Sequence, residues 1–217
     1  METYPTRLRR WTRAEYARLI EAGIFQPGEP VELLGGELMV SEPQGSAHYT
    51  AIGLVEDALR AALGRGWLVR SQGPIALTDD SEPEPDVAAI RGARRDFRDE
   101  HPSRPALVVE VAESSLALDR EHKGSLYAHA GVADYWILNL VDRVLEVYRE
   151  PREDAAARFG RRYAWTGCSP SDPRPPRSWR RARASRCPTF CRSRAPRPAL
   201  SPSVRGGRSH AAVQTPR

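Results

Sequence analysis

Lys123 is the only lysine in a chain of 217 residues whose other 32 basic side chains are all arginine. Lysine supplies what arginine does not, a compact ammonium that can also give up its proton. Thirteen residues earlier stands Glu110, inside the apolar run Ala106-Leu-Val-Val-Glu-Val-Ala112. A carboxylate there is costly unless it is paired or metal-bound. Twenty-four residues before Glu110, Pro85-Asp86 opens another apolar segment. If the segments around Asp86 and Glu110 are neighbouring strands, both carboxylates point into one cleft. Two hard oxygen ligands with open positions suit Mg²⁺, which keeps several waters and takes one or two carboxylates plus substrate phosphate. A cation so held polarises a phosphodiester and activates water. A nearby ammonium stabilises the charge that builds in the transition state, or positions the water. Asp86, Glu110 and Lys123 are therefore the candidate catalytic groups, with Asp86 and Glu110 as metal ligands.

Each has a plainer reading. Asp after Pro at a strand start is a common turn residue. Asp119 precedes Lys123 by four positions, and an exposed pair at that spacing contributes only a few tenths of a kcal/mol. Yet Asp119, Lys123 and Tyr127 recur every fourth residue, a polar stripe on one helix face that equally suits the border of a cleft. His48, near a helix start, either touches substrate or caps and packs. Glu37 either adds a ligand or faces solvent. His122 and His129 have no partners at metal spacing, and Cys187-x-x-x-Cys191 lacks the second ligand pair of a zinc site. Phosphate-binding loop, nucleophilic Ser or Cys, and dinucleotide fingerprint are all missing.

The elements that must position these groups are legible in outline. Thr12-Arg-Ala-Glu15 is a capping box for a helix that stops at Gly23. Val31–Val40 reads as two short strands about Gly35-Gly36. Ser46 caps a second helix whose apolar face is Ile52, Val55, Leu59, Ala62 and Leu63. Strands are predicted at Trp67–Val69 continuing into Pro74–Thr78, then at Asp86–Ile90, Ala106–Ala112, Asp134–Leu140 and Arg143–Arg149. Ala106–Ala112 is apolar on both faces, as a central covered strand requires. A third helix spans Leu116 to Ala130 and closes at Gly131. The last two strands form a hairpin about Val141-Asp142. This order is α/β with a mixed sheet.

Charge divides the chain. Residues 1–165 hold 21 basic and 27 acidic side chains, a net −6, whereas residues 166–217 hold 12 arginines and one acid, Asp172, a net +11. Nine of the 19 prolines and all three cysteines (Cys168, Cys187, Cys191) fall in that last stretch. Its apolar content is too low to offset the entropy of ordering. Two regions result: a body, 1–165, and an Arg/Pro/Ser-rich tail, 166–217. The tail reads either as a disordered basic arm suited to nucleic acid or as an out-of-frame reading of GC-rich DNA, and the compositional break favours the second. Unpaired cysteines suit a reducing compartment, no apolar run approaches the roughly 18 residues of a membrane span, and the N-terminus lacks a signal-peptide pattern. The expected location is the cytoplasm.

The series Pro85-Asp86-Val-Ala-Ala-Ile, Pro105-Ala-Leu-Val-Val-Glu110-Val-Ala-Glu-Ser-Ser and Asp119-Arg-Glu-His-Lys123-Gly-Ser-Leu-Tyr127-Ala-His-Ala-Gly131-Val-Ala-Asp-Tyr-Trp136-Ile-Leu resembles the Uma-type restriction endonucleases of the PD-(D/E)XK nuclease superfamily. Glu32-Leu-Leu-Gly-Gly-Glu37-Leu and the helix at His48 are similar to that family too, so the match covers roughly residues 10–150. The resemblance implies a restriction-endonuclease-like core, a mixed sheet flanked by helices, in which Asp86 and Glu110 bind Mg²⁺ or Mn²⁺ and DNA is hydrolysed. The superfamily's lysine usually lies two residues beyond the glutamate, which here is Ala112. In this family it is displaced to the next helix, matching Lys123. Glu113-Ser-Ser-Leu departs from the family's Ser-Pro-Ser-Thr-like stretch. Related nucleases pair to cut both strands, which makes a homodimer a further expectation by analogy of fold. The competing readings are a non-catalytic nucleic-acid-binding module on the same scaffold, which the acidic body disfavours, and an inactive truncated copy.

Overall fold

The computed structural model describes residues 7–167. The tail beyond Gly167, with its cysteines and both readings of it, lies outside the described residues. Helix α1 (Arg13–Glu21) starts at Thr12, whose hydroxyl accepts from the Glu15 N–H while the Glu15 carboxylate accepts from the Thr12 N–H, the reciprocal capping the sequence spells. Its one buried residue, Tyr16, donates its hydroxyl to the Val31 carbonyl at 2.7 Å and so fixes α1 to the hairpin that follows.

That hairpin is β1 (Val31–Leu34) and β2 (Glu37–Val40), antiparallel about Gly35-Gly36. Both glycines have positive φ, 59° and 79°, as a two-residue hairpin turn demands. Side chains alternate along β1. Val31 and Leu33 pack with Tyr16, leaving Glu32 and Leu34 to face the other way, into a cleft. The hairpin is a separate two-stranded sheet, joined to the body by the Leu33–Glu82 bridge and a Gly35 N–H bond to Ser81 Oγ at 2.9 Å.

Helix α2 (Ser46–Leu63) begins one residue earlier than expected, because Gly45, not Ser46, is the N-cap. Its buried stripe is Ala51, Ile52, Val55, Leu59 and Leu63, and Ala62, expected on that face, is exposed. The main sheet has six strands in sequential order: β3 (Trp67–Ser71), β4 (Val87–Arg91), β5 (Pro105–Ala112), β6 (Asp134–Asn139), β7 (Val144–Glu153) and β8 (Arg161–Gly167). All neighbours are antiparallel except β5 and β6. That parallel pair needs a crossover, supplied by a helical segment: a π-helix, Leu118–Lys123, running into α3 (Gly124–His129). Leu107, Val109 and Val111 of β5 pack toward α2, while Val108 and Ala112 pack on the other face with Tyr127 and Tyr135. Covered on both sides, β5 is the central strand its composition indicated.

Three expectations need correction. Pro74–Thr78 does not extend β3. The chain turns at Gln72, whose φ is 47°, and the segment is held by bonds such as Ile75 N–H to Pro83 O, with only an isolated Thr78–Ser81 bridge. β7 continues past Arg149 to Glu153, because left-handed Glu150 and Pro151 mimic a strand end without ending the ladder. β8 was unforeseen, its pattern hidden by five polar or small residues in seven. No described helix is long and apolar enough to cross a membrane.

Candidate active site

Register brings the two carboxylates together. Val87 of β4 pairs with Val109 of β5, so Asp86, one residue before β4, comes level with Glu110. The contacts are reciprocal: the Asp86 N–H donates to Glu110 Oε2 at 3.3 Å, and the Val111 N–H donates to Asp86 Oδ2 at 2.7 Å. Glu110 lies two residues from both Val108 and Ala112 and shares their face, the one covered by the crossover.

Lys123 and Tyr127 come down onto that face. Lys123 Nζ lies 3.2 Å from Glu110 Oε1, and the Tyr127 hydroxyl donates to the same oxygen at 2.8 Å. The lysine therefore arrives from the helix at the face from which a side chain at position 112 would project. The π-helix sets its approach. Gly124 N–H reaches back to the Asp119 carbonyl, which also accepts the Tyr135 hydroxyl at 2.9 Å. A Cβ on Gly124 would stand 3.2 Å from that carbonyl, close enough that the turn would have to give by a few tenths of an ångström. Such bulges are rare and recur at functional sites.

A cleft of about 470 Å³ opens here, and its lining includes Glu32, His48, Asp86, Glu110, Asp119 and Lys123. Lys123 and Asp119 are both buried, so the exposed surface pair is not what this spacing makes. Asp119 instead accepts from Ser115 Oγ at 2.6 Å. His48 places Nε2 3.3 Å from Asp86. Glu32 Oε1 stands 3.4 Å from Lys123 Nζ. Glu37 is elsewhere, bound to Arg10 and Arg158 at the surface. His122 packs its ring on Phe159, and His129 Nδ1 meets the Phe159 carbonyl.

Sequence reasoning passed over Glu32 as a chemical group, although the signal that picked out Glu110 was present. It is an acid in Val31-Glu-Leu-Leu34, all four residues of which are buried. Glu84 was passed over as well. It lines the cleft, and burial together with Glu32 and Glu82 raises its carboxyl above the usual range.

The electrostatics follow from crowding. Burial pushes the Glu110 carboxyl up to about 8; Lys123 opposes the rise, and Asp86, Asp119 and Glu32 add to it. Burial likewise raises Asp119, against Lys123 and Ser115. For Lys123 burial acts downward, but Glu110, Glu32, Asp119 and Asp86 outweigh it and hold the ammonium above the usual lysine range. The hydrogen bond to Asp86 raises His48, with burial opposing.

Among the described residues no three His, Cys, Asp or Glu side chains are grouped as a ligand set. Of the carboxylates at the cleft, Asp86 and Glu110 are the two that the strand register brings level. That pair fits a hard cation of the Mg²⁺ type, which binds one or two carboxylates and keeps water and phosphate in its other positions. Charge agrees, since seven carboxylates line the cleft against a single ammonium.

No curated protein matches the chain in sequence. Among solved structures it is similar to the crystal structure of a putative nuclease belonging to DUF820 from Anabaena variabilis, at 15% identity and a TM-score of 0.52, over 74% of this chain and 89% of that one. Identity so low speaks to fold, and the fold is the mixed six-stranded sheet with helices described above. The Uma2 family model, whose description is "Putative restriction endonuclease", matches residues 13–163. That span runs from α1 into β8 and takes in every residue of the cleft, so this chain belongs to the Uma2 family.

Proposed function

We propose that the protein is a Mg²⁺-dependent endonuclease that hydrolyses phosphodiester bonds of DNA, with residues 1–165 as its catalytic unit. The observation that carries the reading is the meeting of Asp86, Glu110 and Lys123 within one cleft, each held by its own hydrogen bonds. Asp86 and Glu110 would hold the cation, which when bound supplies Lewis acidity toward the scissile phosphate and a lowered pKa for water. The protein's own groups do the rest. The Val111 N–H and His48 orient Asp86, and Tyr127 orients Glu110. Lys123, surrounded by carboxylates, stays an ammonium, so its part is electrostatic: it donates to the attacking water or to a phosphate oxygen as negative charge grows there. Water adds to phosphorus, the bond to the leaving oxygen breaks, and the proton released passes to solvent. We place the protein in the cytoplasm, acting on duplex DNA as a homodimer.

Nicking of supercoiled plasmid tests this directly. Wild-type protein should nick with Mg²⁺ or Mn²⁺ and not with EDTA, and Glu110→Ala and Lys123→Ala should remain folded and inactive. Equal cleavage by both variants sinks the assignment. Mg²⁺-independent binding of DNA without cleavage would favour the non-catalytic module.

A further inference from the structure

Lys123 carries a second carboxylate contact to which the proposed reaction gives no task. Glu32 lies 91 positions earlier in the chain, on a different sheet, with Oε1 3.4 Å from Lys123 Nζ. Both side chains are more than nine-tenths buried. Glu32 is itself held in place: the Glu84 N–H donates to Oε2 at 3.0 Å, and Ser41 Oγ donates to Oε1 at 3.2 Å. Alternation along β1 puts Val31 and Leu33 against Tyr16 and leaves Glu32 for the cleft.

Such a buried pair is a poor device for stability alone, because taking both charges out of water costs about as much as their attraction returns. It is a good device for placement. Glu110 is the other partner of the ammonium, and Glu110 is also a proposed metal ligand. A cation on Glu110 competes for the oxygen that Lys123 uses and repels the ammonium through space. An ammonium anchored by Glu110 alone would lose its position at the moment the site becomes loaded. We infer that Glu32 is a positioning residue, holding the Lys123 ammonium in the cleft independently of Glu110. This rests on the nuclease reading, in which Lys123 acts at the phosphate.

Because the chain has one lysine, the full-length protein grown with ¹⁵N-lysine gives a single side-chain ammonium resonance, readable without metal. In the wild type this should be a sheltered, slowly exchanging signal. Glu110→Gln should preserve it, since Glu32 remains. Glu32→Gln should shift it and broaden it by exchange, and should lower kcat for nicking by about 10–100-fold, the usual cost of losing an orienting partner. The Mg²⁺ concentration for half-maximal rate should not change. Should Glu32→Gln fail to fold, Glu32→Asp, which keeps the charge but shortens the reach, should move the same resonance and lower kcat by less. An unmoved resonance in either folded variant overturns the inference. So does a raised Mg²⁺ requirement with the resonance in place, which would make Glu32 a ligand instead. A wild type that never nicks DNA defeats the hydrolase reading, yet the metal-free resonance still decides whether Glu32 holds Lys123.

Discussion

The crossover between β5 and β6 has a cavity on each side, and the two treat charge in opposite ways. On one side, the cleft buries Glu32, Asp86, Glu110, Asp119 and Lys123 together, acids outnumbering the one cation. On the other, a broader groove of about 910 Å³ is lined by Arg120, Arg152, Arg158 and Arg162 with Glu121 and Asp154. Its charges are partly solvated and mostly matched: Arg120 with Glu146, Arg158 with Glu37, Arg162 with Asp154. Leu118 touches both cavities. One helical segment thus separates a concentrated imbalance from a dispersed balance. Solvated pairs contribute little to stability, whereas a buried surplus of carboxylates is the kind of perturbed cluster that marks functional sites and that a cation can neutralise.

Removing the cation from the cleft should break this contrast most severely. Lys123→Met leaves the clustered carboxylates without an offset, and breaking a buried pair typically costs about 3–5 kcal/mol. Urea unfolding of metal-free protein should show a loss of that order, together with loss of nicking. A loss below about 1 kcal/mol, within the range of exposed pairs, would mean that the cleft is wetter than its burial indicates.

Removing an acid should act in the other direction. Glu110 has its folded pKa raised from 4.5 to about 8, so the fold penalises its ionised form. Its contribution is favourable at low pH and is lost as pH rises across that window. Metal-free Glu110→Gln should therefore melt at or above the wild-type temperature, with a gap that widens between about pH 5 and pH 8, while being inactive. A gap that narrows over this range contradicts the assignment of the strain to Glu110.

Smaller effects belong to the groove side. Burial raises the Glu146 carboxyl, but hydrogen bonds from Arg120, Tyr148 and Asn139 prevail and lower it to about 2. Its stabilisation is present above the unfolded value of about 4.5 and disappears as pH falls toward 2. Glu146→Gln should cost stability near neutrality and nothing near pH 2, measured by thermal melts. Arg152 stands directly opposite Arg162 on the β7–β8 ladder, and like charges so placed are mildly unfavourable. Arg152→Thr should change stability by about 0.5 kcal/mol or less, in the stabilising direction.

Much of the cleft was legible because its members break local rules. Glu110 interrupts an apolar strand, Lys123 is unique among cations, and Asp86 opens a strand after proline. These anomalies need no knowledge of the fold. What remained hidden depends on docking between distant segments. Nothing local says that the hairpin bearing Glu32 lies against a helix 91 residues away, nor that Glu37, five residues further on, turns outward to arginine. The π-helix was invisible too, since the Asp119 carbonyl in it accepts the hydroxyl of Tyr135, sixteen residues away. β8 escaped because only Tyr163 and Trp165 of its seven residues are large and apolar; it is held by pairing with β7 and by Tyr163, whose hydroxyl reaches Val132 at 2.9 Å.

The reciprocal bonds between Asp86 and the β5 backbone have a consequence for biogenesis. The amide that steadies one acid and the amide beside the other belong to the same antiparallel ladder. A slip of one residue in that ladder turns every side chain to the opposite face and scatters both acids at once. Pairing of β4 with β5 and convergence of the two carboxylates are a single event, so a chain in which that ladder has not closed holds neither acid in place.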